Sequence, residues 1–386
     1  MKETLTLSGG SQTSLRQASR KRVVSELIEH GNVTQAAIAR RTGLAASTVS
    51  NIIAELEAQG LVARGEGNGP HGTKLSFHPE AGYVLGVEVG HRHLTIVCAD
   101  LSRKIVAEER VGRPQLLTFD DDFRFVTREI SAILERSGIR MAEVLAAGLA
   151  VPAPVDLAGQ YITSGEILPL WDGVDVPARF TDALGIPVRM ENDANLGALG
   201  EFTWAHPVPN DLAYVKIADG IGAGLILGGK IYRGADGSAG EIGHTTIDEN
   251  GAMCRCGNRG CLETVAAVPA ILRAMHPLMG EDVTIHDIIS SAHNGNTACR
   301  RILADTGSTL GLTISNMLNT VNPRLVVIGG LLAEAGPLII DSLEQTISRY
   351  AMRGVREHLM FRPSTLGLRT HVLGAISLAL EEVDVV

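Results

Sequence analysis

Three thiols and one imidazole fall within a single short run, Glu241 to Glu263, which reads EIGHTTIDENGAMCRCGNRGCLE. His244, Cys254, Cys256 and Cys261 make up a complete tetrahedral set for Zn²⁺, and Gly257 and Gly260 let so short a loop wrap around an ion. A disulfide scheme would leave one of the three clustered cysteines unpaired. Three neighbouring thiols also look like a ligand set rather than one activated nucleophile. Four protein ligands leave no open position for water, so the expected ion is structural and serves to fix what lies beside it. Beside it stand two carboxylates: Glu241, three residues before His244 and on the same face of a helical turn, and Glu263, two residues after Cys261. Two carboxylates and an imidazole nitrogen suit a polyhydroxylated ligand, because each carboxylate accepts hydrogen bonds from a pair of vicinal hydroxyls. The alternative is that both glutamates only orient the metal ligands.

Two further stretches offer chemistry. In VRMENDANLGALGE (Val188 to Glu201) a strand delivers Asn192 and Asp193 to its C-terminal end just as a helix begins, where α/β folds place their reacting groups. Asp193 is also a plausible helix N-cap. Asp219-Gly220-Ile221-Gly222-Ala223-Gly224 follows an expected strand over Ala213–Ile217; such a glycine loop either holds phosphate or simply turns a tight hairpin.

The elements that must position these groups belong to a long α/β body. Tyr83–Val89 and Leu94–Ala99 read as a hairpin, followed by a helix over Phe119–Ser137 and an apolar strand over Val144–Val151. Beyond Leu262 the chain reads as mostly helical apart from a strand over Leu325–Gly330, and a last helix is expected over Leu373–Glu382.

The first 78 residues have a different character. From Ser14, Leu15, Ala18, Val23, Val24, Leu27 and Ile28 recur at helical spacing until Gly31. Thr34 is a suitable N-cap for a second helix to Arg41 that buries Ile38. After the turn Thr42-Gly43-Leu44, a third helix is expected over Ala46–Gln59, with Val49, Ile52, Ile53 and Leu56 inward and Gly60 just past its end. Helix, glycine-containing turn and helix form a helix-turn-helix. Ser47, Thr48, Ser50 and Asn51 are small and polar on the outward N-terminal part of the third helix, the part that enters a major groove. Two β-like runs around a glycine-rich segment then read as a wing, with Arg64 at its base and His71 near its tip as further DNA contacts. Without DNA, the same module would be a helical interaction domain with a solvated polar face.

At 386 residues the chain has room for two or three domains. No apolar run is long enough to span a membrane and no signal-like segment opens the chain, so cytoplasmic, reducing surroundings are expected, in keeping with metal-bound thiols. The net charge of −9 hides an asymmetry: residues 1–78 carry nine Lys/Arg against six Asp/Glu, and the remainder 25 against 37. Only the leader is suited to a polyanion.

EIGH followed by CxCGxxGCxE resembles the signature of the ROK family, which groups repressors and sugar kinases. The resemblance implies an N-terminal winged helix-turn-helix over 1–78, followed by a two-lobed α/β body of actin-like ATPase fold over 79–386. Its first lobe spans about 82–190 plus the C-terminal helix (373–386), and its second about 191–370. It further implies zinc on His244, Cys254, Cys256 and Cys261, and sugar contacts from Asn192, Asp193, Glu241, His244 and Glu263. Trp171 would sit in the region that closes over the sugar. In family kinases the residue matching Asp193 is the general base, and an Asp-x-Gly-x-Thr loop with a second Gly-Thr pair binds magnesium and phosphate. This chain has Glu88-Val89-Gly90-His91-Arg92 at the first place and Ala218-Asp219 at the second. Bulky and acidic side chains there oppose phosphate binding. The wing carries Asn68-Gly69-Pro70 where family repressors commonly have Gly-Arg-Pro. The expectation is therefore a DNA-binding regulator, most simply a repressor of carbohydrate genes. It would form a homodimer or homotetramer on a palindromic operator, released or retained by a sugar or sugar phosphate. The alternatives are an ATP-dependent sugar kinase using Asp193, and a scaffold that binds only protein partners.

Overall fold

The computed structural model describes residues 12–65, 73–114 and 118–383. The N-terminal unit contains α1 (Gln12–His30), β1 (Val33–Thr34), α2 (Gln35–Thr42), α3 (Ala46–Ala58), β2 (Val62–Arg64) and β3 (Lys74–Phe77). Thr34 caps α2 by accepting from the Ala37 amide at 3.2 Å, and Gly43 ends that helix at φ +69°, a left-handed conformation that costs glycine little. Val49, Ile52, Ile53 and Leu56 of α3 all face inward as their spacing requires. Leu15 and Ala18 do not: the start of α1 extends past the small core, and both side chains are exposed. The wing strands β2 and β3 pair antiparallel, with β1 added on the far side of β3. The proposed wing tip at His71 lies outside the described residues, as does Asn68-Gly69-Pro70.

The body is built from two sheets of the same plan. In the first, β4 (Tyr83–Val89), β5 (His93–Asp100), β6 (Ile105–Gly112), β7 (Val144–Val151) and β8 (Val188–Asn192) are ordered β6-β5-β4-β7-β8. In the second, β9 (Leu212–Ile217), β10 (Ile221–Leu227), β11 (Lys230–Ile231), β12 (Leu325–Gly329) and β13 (Met360–Pro363) are ordered β11-β10-β9-β12-β13. Each sheet opens with an antiparallel meander and continues with two parallel strands. Helices α4 (Phe119–Arg136) and α5 (Val176–Leu184) cover the first sheet. The second lobe adds α6 (Asp193–Trp204), α7 (Glu263–Ala266), α8 (Val268–Met279), α9 (Ile285–His293), α10 (Thr297–Val321), α11 (Pro337–Tyr350) and α12 (Arg353–Arg356). The strands β6 and β13 escape the sequence reading. β6 is an edge strand whose alternate residues are exposed, and β13 is only four residues long.

The final helix, α13 (Thr370–Leu380), returns to the first sheet and is buried along its whole length. It crosses α6 at backbone contact: a Cβ at Gly374 would sit 1.9 Å from the Leu196 carbonyl oxygen, so only glycine fits there. The winged helix is not a loose appendage. Its core residues, including Leu27, Leu56 and Phe77, continue without a break into Val84, Val97, Ile376 and Leu380 of the first lobe and α13. None of the described helices is long and apolar enough to cross a membrane.

Candidate functional site

His244, Cys254, Cys256 and Cys261 converge, with one donor atom from each lying within 4.8 Å of all the others, a set that can hold a metal ion. The loop after β11 makes this possible. Gly260 adopts φ +62° and packs so closely on Asp248 that a Cβ would lie 1.6 Å from its carbonyl oxygen. Cys256 Sγ and Cys261 Sγ are 3.7 Å apart, and Cys254 Sγ is 3.5 Å from His244 Nδ1. The imidazole thus turns Nδ1 to the thiols and Nε2 towards Glu241, 3.8 Å away, across a single 3₁₀ turn at Ile242–His244.

Glu241, His244 and Glu263 share a narrow cavity of about 30 Å³ with Asn192, Asp193 and the Pro152–Pro154 loop, so both lobes contribute walls. All five residues assigned to sugar by resemblance therefore meet in one place. Sequence reasoning did not foresee how they are already engaged. Asn192 is the N-cap of α6, accepting from the amides of Ala194 (2.9 Å) and Asn195 (3.2 Å) and donating to the Ala153 carbonyl (3.1 Å). The cap role considered for Asp193 belongs to its neighbour. Asp193 instead takes a short hydrogen bond from Lys216 Nζ. Although burial works against a charge there, Asp193 holds the Lys216 ammonium above its usual pKa. Glu263 is clamped by Arg255, with Nε at 2.8 Å from one oxygen and Nη2 at 2.9 Å from the other, and it also accepts from the Ile221 amide at 3.2 Å. Among the described residues, Glu241 is the carboxylate of this cavity with no Arg or Lys ion pair. Burial, followed by the charges of Asp193 and Glu263, pushes its pKa up to about 7. His91, also on the wall, is held neutral: burial and then Arg255 and Lys216 push its pKa down to about 4.

The glycine loop proves to be the tight hairpin between β9 and β10. Gly220 lets Arg255 and Glu263 approach; a Cβ there would meet Arg255 Nη2 at 2.7 Å and Glu263 Oε2 at 2.8 Å. The Ile221 amide that a phosphate would want is given to a carboxylate. Next to it is a cavity of about 230 Å³ between the lobes, lined by Glu88, Arg92, Asp219 and His371 among others. Arg92 Nη2 reaches Asp219 Oδ1 at 2.6 Å, joining two residues 127 positions apart that both depart from the kinase pattern. Glu88 is buried and bonded to His371 Nδ1 at 2.8 Å, and His371 Nε2 meets the Tyr214 hydroxyl at 3.0 Å. Burial opposes ionisation of Glu88, but the His371 and His93 imidazoles hold it well below the usual carboxylate range. The Glu88–His371–Tyr214 chain ties β4, α13 and β9 together beneath the cleft.

Trp171 is not a lid over this site. It is fully buried in the first-lobe core, edge-on to Phe119, with its indole N–H donated to Asp122 at 2.8 Å; a rigid ring so committed cannot swing over a ligand.

At the other end of the molecule, Ser47, Ser50 and Asn51 are exposed on α3 and Thr48 is half-buried. Ala45 at the N-cap supplies no side-chain bond, so the first amides of α3 have no side-chain cap. Arg64 is occupied by Glu57 of α3, at 3.0 Å for Nη2 to Oε2.

The comparisons match this layout. A MarR family model matches residues 17–72. The chain is 30% identical to the xylose repressor of Bacillus spizizenii, over 96% of this chain and 97% of that protein. A crystal structure of a ROK family transcriptional regulator, described as a homologue of the E. coli MLC protein, superimposes with a TM-score of 0.81 at 24% identity, over 95% of this chain and 97% of that one. A ROK family glucokinase from Streptomyces griseus, solved with glucose and AMPPNP, aligns with 77% of this chain and 99% of its own, at TM-score 0.69 and 23% identity. The ROK family model itself matches residues 84–382, and this chain belongs to the ROK family.

Proposed function

We propose that the protein is a DNA-binding transcriptional repressor of carbohydrate metabolism or transport genes, with operator binding set by a sugar or sugar phosphate held between the lobes. The observation that carries this reading is the core shared by the winged helix, the first lobe and α13. A movement of the lobes is transmitted through packed side chains to the recognition helix, because close-packed interiors do not deform smoothly. Asn192, Asp193, Glu241, His244 and Glu263 are the ligand contacts of this proposal; Ser47, Thr48, Ser50, Asn51, Arg64 and His71 are its DNA contacts. A cavity of about 30 Å³ holds a water or two, so a monosaccharide binds only when its walls part. That gives the sugar a preference between two arrangements of the lobes, which is what coupling requires. A homodimer or homotetramer would place two winged helices on a palindromic operator in the cytoplasm.

Structural zinc fits the four donors. Zn–S near 2.3 Å and Zn–N near 2.05 Å give tetrahedral edges of about 3.8 Å between sulfurs and about 3.6 Å between sulfur and nitrogen. The corresponding separations here are 3.7 Å and 3.5 Å. Zinc would pin His244 and Cys261, and with them Glu241 and Glu263.

A kinase using Asp193 as general base is not favoured. Asp193 is already hydrogen-bonded to the Lys216 ammonium. Where phosphoryl transfer needs positioned metal and phosphate contacts, this chain places the Arg92–Asp219 pair and a buried Glu88–His371 pair.

The test is operator binding by the purified protein to its own upstream DNA at fixed salt, against a panel of sugars and sugar phosphates, with and without ATP and Mg²⁺. Specific binding shifted by one sugar and indifferent to ATP is expected; sugar-dependent ATP consumption without specific DNA binding would overturn the proposal. In the same assay Asn51→Ala is expected to weaken operator binding about tenfold while leaving nonspecific DNA binding nearly unchanged, since one lost base contact is worth ~1–3 kcal/mol of discrimination. Equal loss on both DNAs would make Asn51 a backbone contact.

A further inference from the structure

Helix α6 spans the distance between the carboxylate cavity and the core of the winged helix. It starts at the cavity, where Asn192 caps it and Asp193 is its first residue. It ends at Trp204, which packs on the core shared by the winged helix, the first lobe and α13. At 1.5 Å per residue its length is about 18 Å. Along most of that length no soft side chain separates α6 from its neighbours. A Cβ at Gly224 of β10 would lie 2.0 Å from the Ala194 carbonyl oxygen, and one at Gly200 would lie 2.3 Å from the Thr370 carbonyl oxygen of α13. Backbones in such contact leave little give, so the helix moves as one body.

Its far end is held differently, by side-chain hydrogen bonds. Trp204 Nε1 donates to Ser377 Oγ of α13 at 3.0 Å, and Thr203 Oγ1 lies 2.8 Å from the same oxygen. The Thr203 carbonyl accepts from Arg103 Nη1, in the turn between β5 and β6, at 3.1 Å. A cavity of about 510 Å³ lies between this end of α6, at Phe202 and Thr203, and Ile28 and Glu29 of α1. The end of the helix therefore has room to shift beside the winged helix, and hydrogen bonds weaken steeply once their geometry is lost.

We propose that α6 carries the state of the sugar cavity to the winged helix, and that the Trp204–Ser377 hydrogen bond is the latch of the sugar-free arrangement. This rests on the sugar response proposed above and names the element that transmits it. A monosaccharide enters only when the walls around Asn192 and Asp193 part. Helix α6 tilts with them, Trp204 leaves Ser377, and the shared core beneath the winged helix repacks. Because the latch is made in only one of the two arrangements, it opposes sugar binding from a distance. Neither Trp204 nor Ser377 lines the carboxylate cavity, so neither acts by touching the ligand. The sign distinguishes a latch from a structural pair: removing a latch tightens sugar binding, whereas loosening the structure weakens it.

The experiment pairs calorimetry with intrinsic fluorescence on the full chain, using a panel of free pentoses, free hexoses and their monophosphates. The chain has two tryptophans, and Trp171 is fixed in the first-lobe core, so Trp204 is the reporter. A ligand that binds is expected to change the emission of the wild type, and Trp204→Phe is expected to abolish that change. Ser377→Ala should bind the same ligand about fivefold more tightly, the worth of one neutral hydrogen bond. Trp204→Phe, which keeps an aromatic ring on the core, should tighten it likewise. Ligand binding without a Trp204 signal, or an affinity that is unchanged or weaker in both variants, would overturn the latch and leave the sugar site standing. No binding by any member of the panel would overturn the latch together with the proposed function.

Discussion

Cys261→Ser is expected to remove the metal and the effector response in a single step. Cys261 is fully buried, and its sulfur lies 3.7 Å from Cys256 Sγ. A serine hydroxyl is a weak zinc ligand at neutral pH, and structural zinc in small sites contributes on the order of 10 kcal/mol to local folding. Apart from the ion, the Thr246–Arg259 region is held by backbone bonds such as Ile247 N to the Gly260 carbonyl and Cys254 N to the Asn258 carbonyl, and by the Arg255–Glu263 pair. Without the ion, His244 and Glu263 lose their fixed separation. Elemental analysis should then fall from about one zinc per chain to near zero, and sugar affinity should drop about a hundredfold or more. Operator affinity should stay close to wild type, since α3 and its core lie in a different part of the molecule. A metal-free variant that binds sugar normally would separate the thiol cluster from the ligand site and defeat the argument.

What could be read from the sequence was local. Ligand spacing in CxCGxxGC, the Thr34 cap and the inward face of α3 each depend on residues a few positions apart, where backbone geometry alone decides which side chains meet. Arg255 is near Glu263 in sequence, but other ion-pair partners of the site come from farther along the chain. Lys216 reaches Asp193 from the neighbouring β9, and Arg92 meets Asp219 across the cleft. No periodicity encodes such pairs; they appear only when both sheets are in place. Trp171 illustrates the same limit: the family resemblance placed it in the region that closes over the sugar, but it is held by Phe119 and Asp122, about fifty residues earlier on α4, together with the nearby Phe180.

Arg92 and Asp219 are individually poor for a nucleotide site, and together they form a cross-lobe contact. Arg92 is largely exposed, so the pair contributes little to stability. Its consequence is occupancy: the cationic group that could attract phosphate is already committed to a carboxylate on the other lobe. The Glu88–His371–Tyr214 chain does the same with buried groups, where removing one partner would leave an unsatisfied polar atom. The body thus shares a two-lobed plan with solved ROK kinases, and its own side chains pair with one another across the cleft.

Glu263→Gln then gives the sharpest test of where the effector sits. The carboxylate accepts from Arg255 Nε and Nη2 and from the Ile221 amide, so it fixes the β9–β10 hairpin against the metal loop and still lines the cavity. Glutamine preserves the shape but removes the charge, and its amide nitrogen faces a guanidinium or a backbone N–H where an acceptor was needed. A carboxylate bonded to two vicinal hydroxyls makes two charge-assisted bonds of roughly 1.5–3 kcal/mol each, so its neutral replacement should cost about a hundredfold or more in sugar affinity. The metal should remain, because Glu263 supplies no donor to the cluster. Operator binding should also remain, and it should no longer respond to the sugar. Calorimetry with the sugar that shifts the wild type, run beside elemental analysis, distinguishes the outcomes. Lost affinity with full zinc places the sugar on Glu263. Lost affinity with lost zinc would mean that Glu263 acts by supporting the metal loop, and unchanged affinity would remove it from the site.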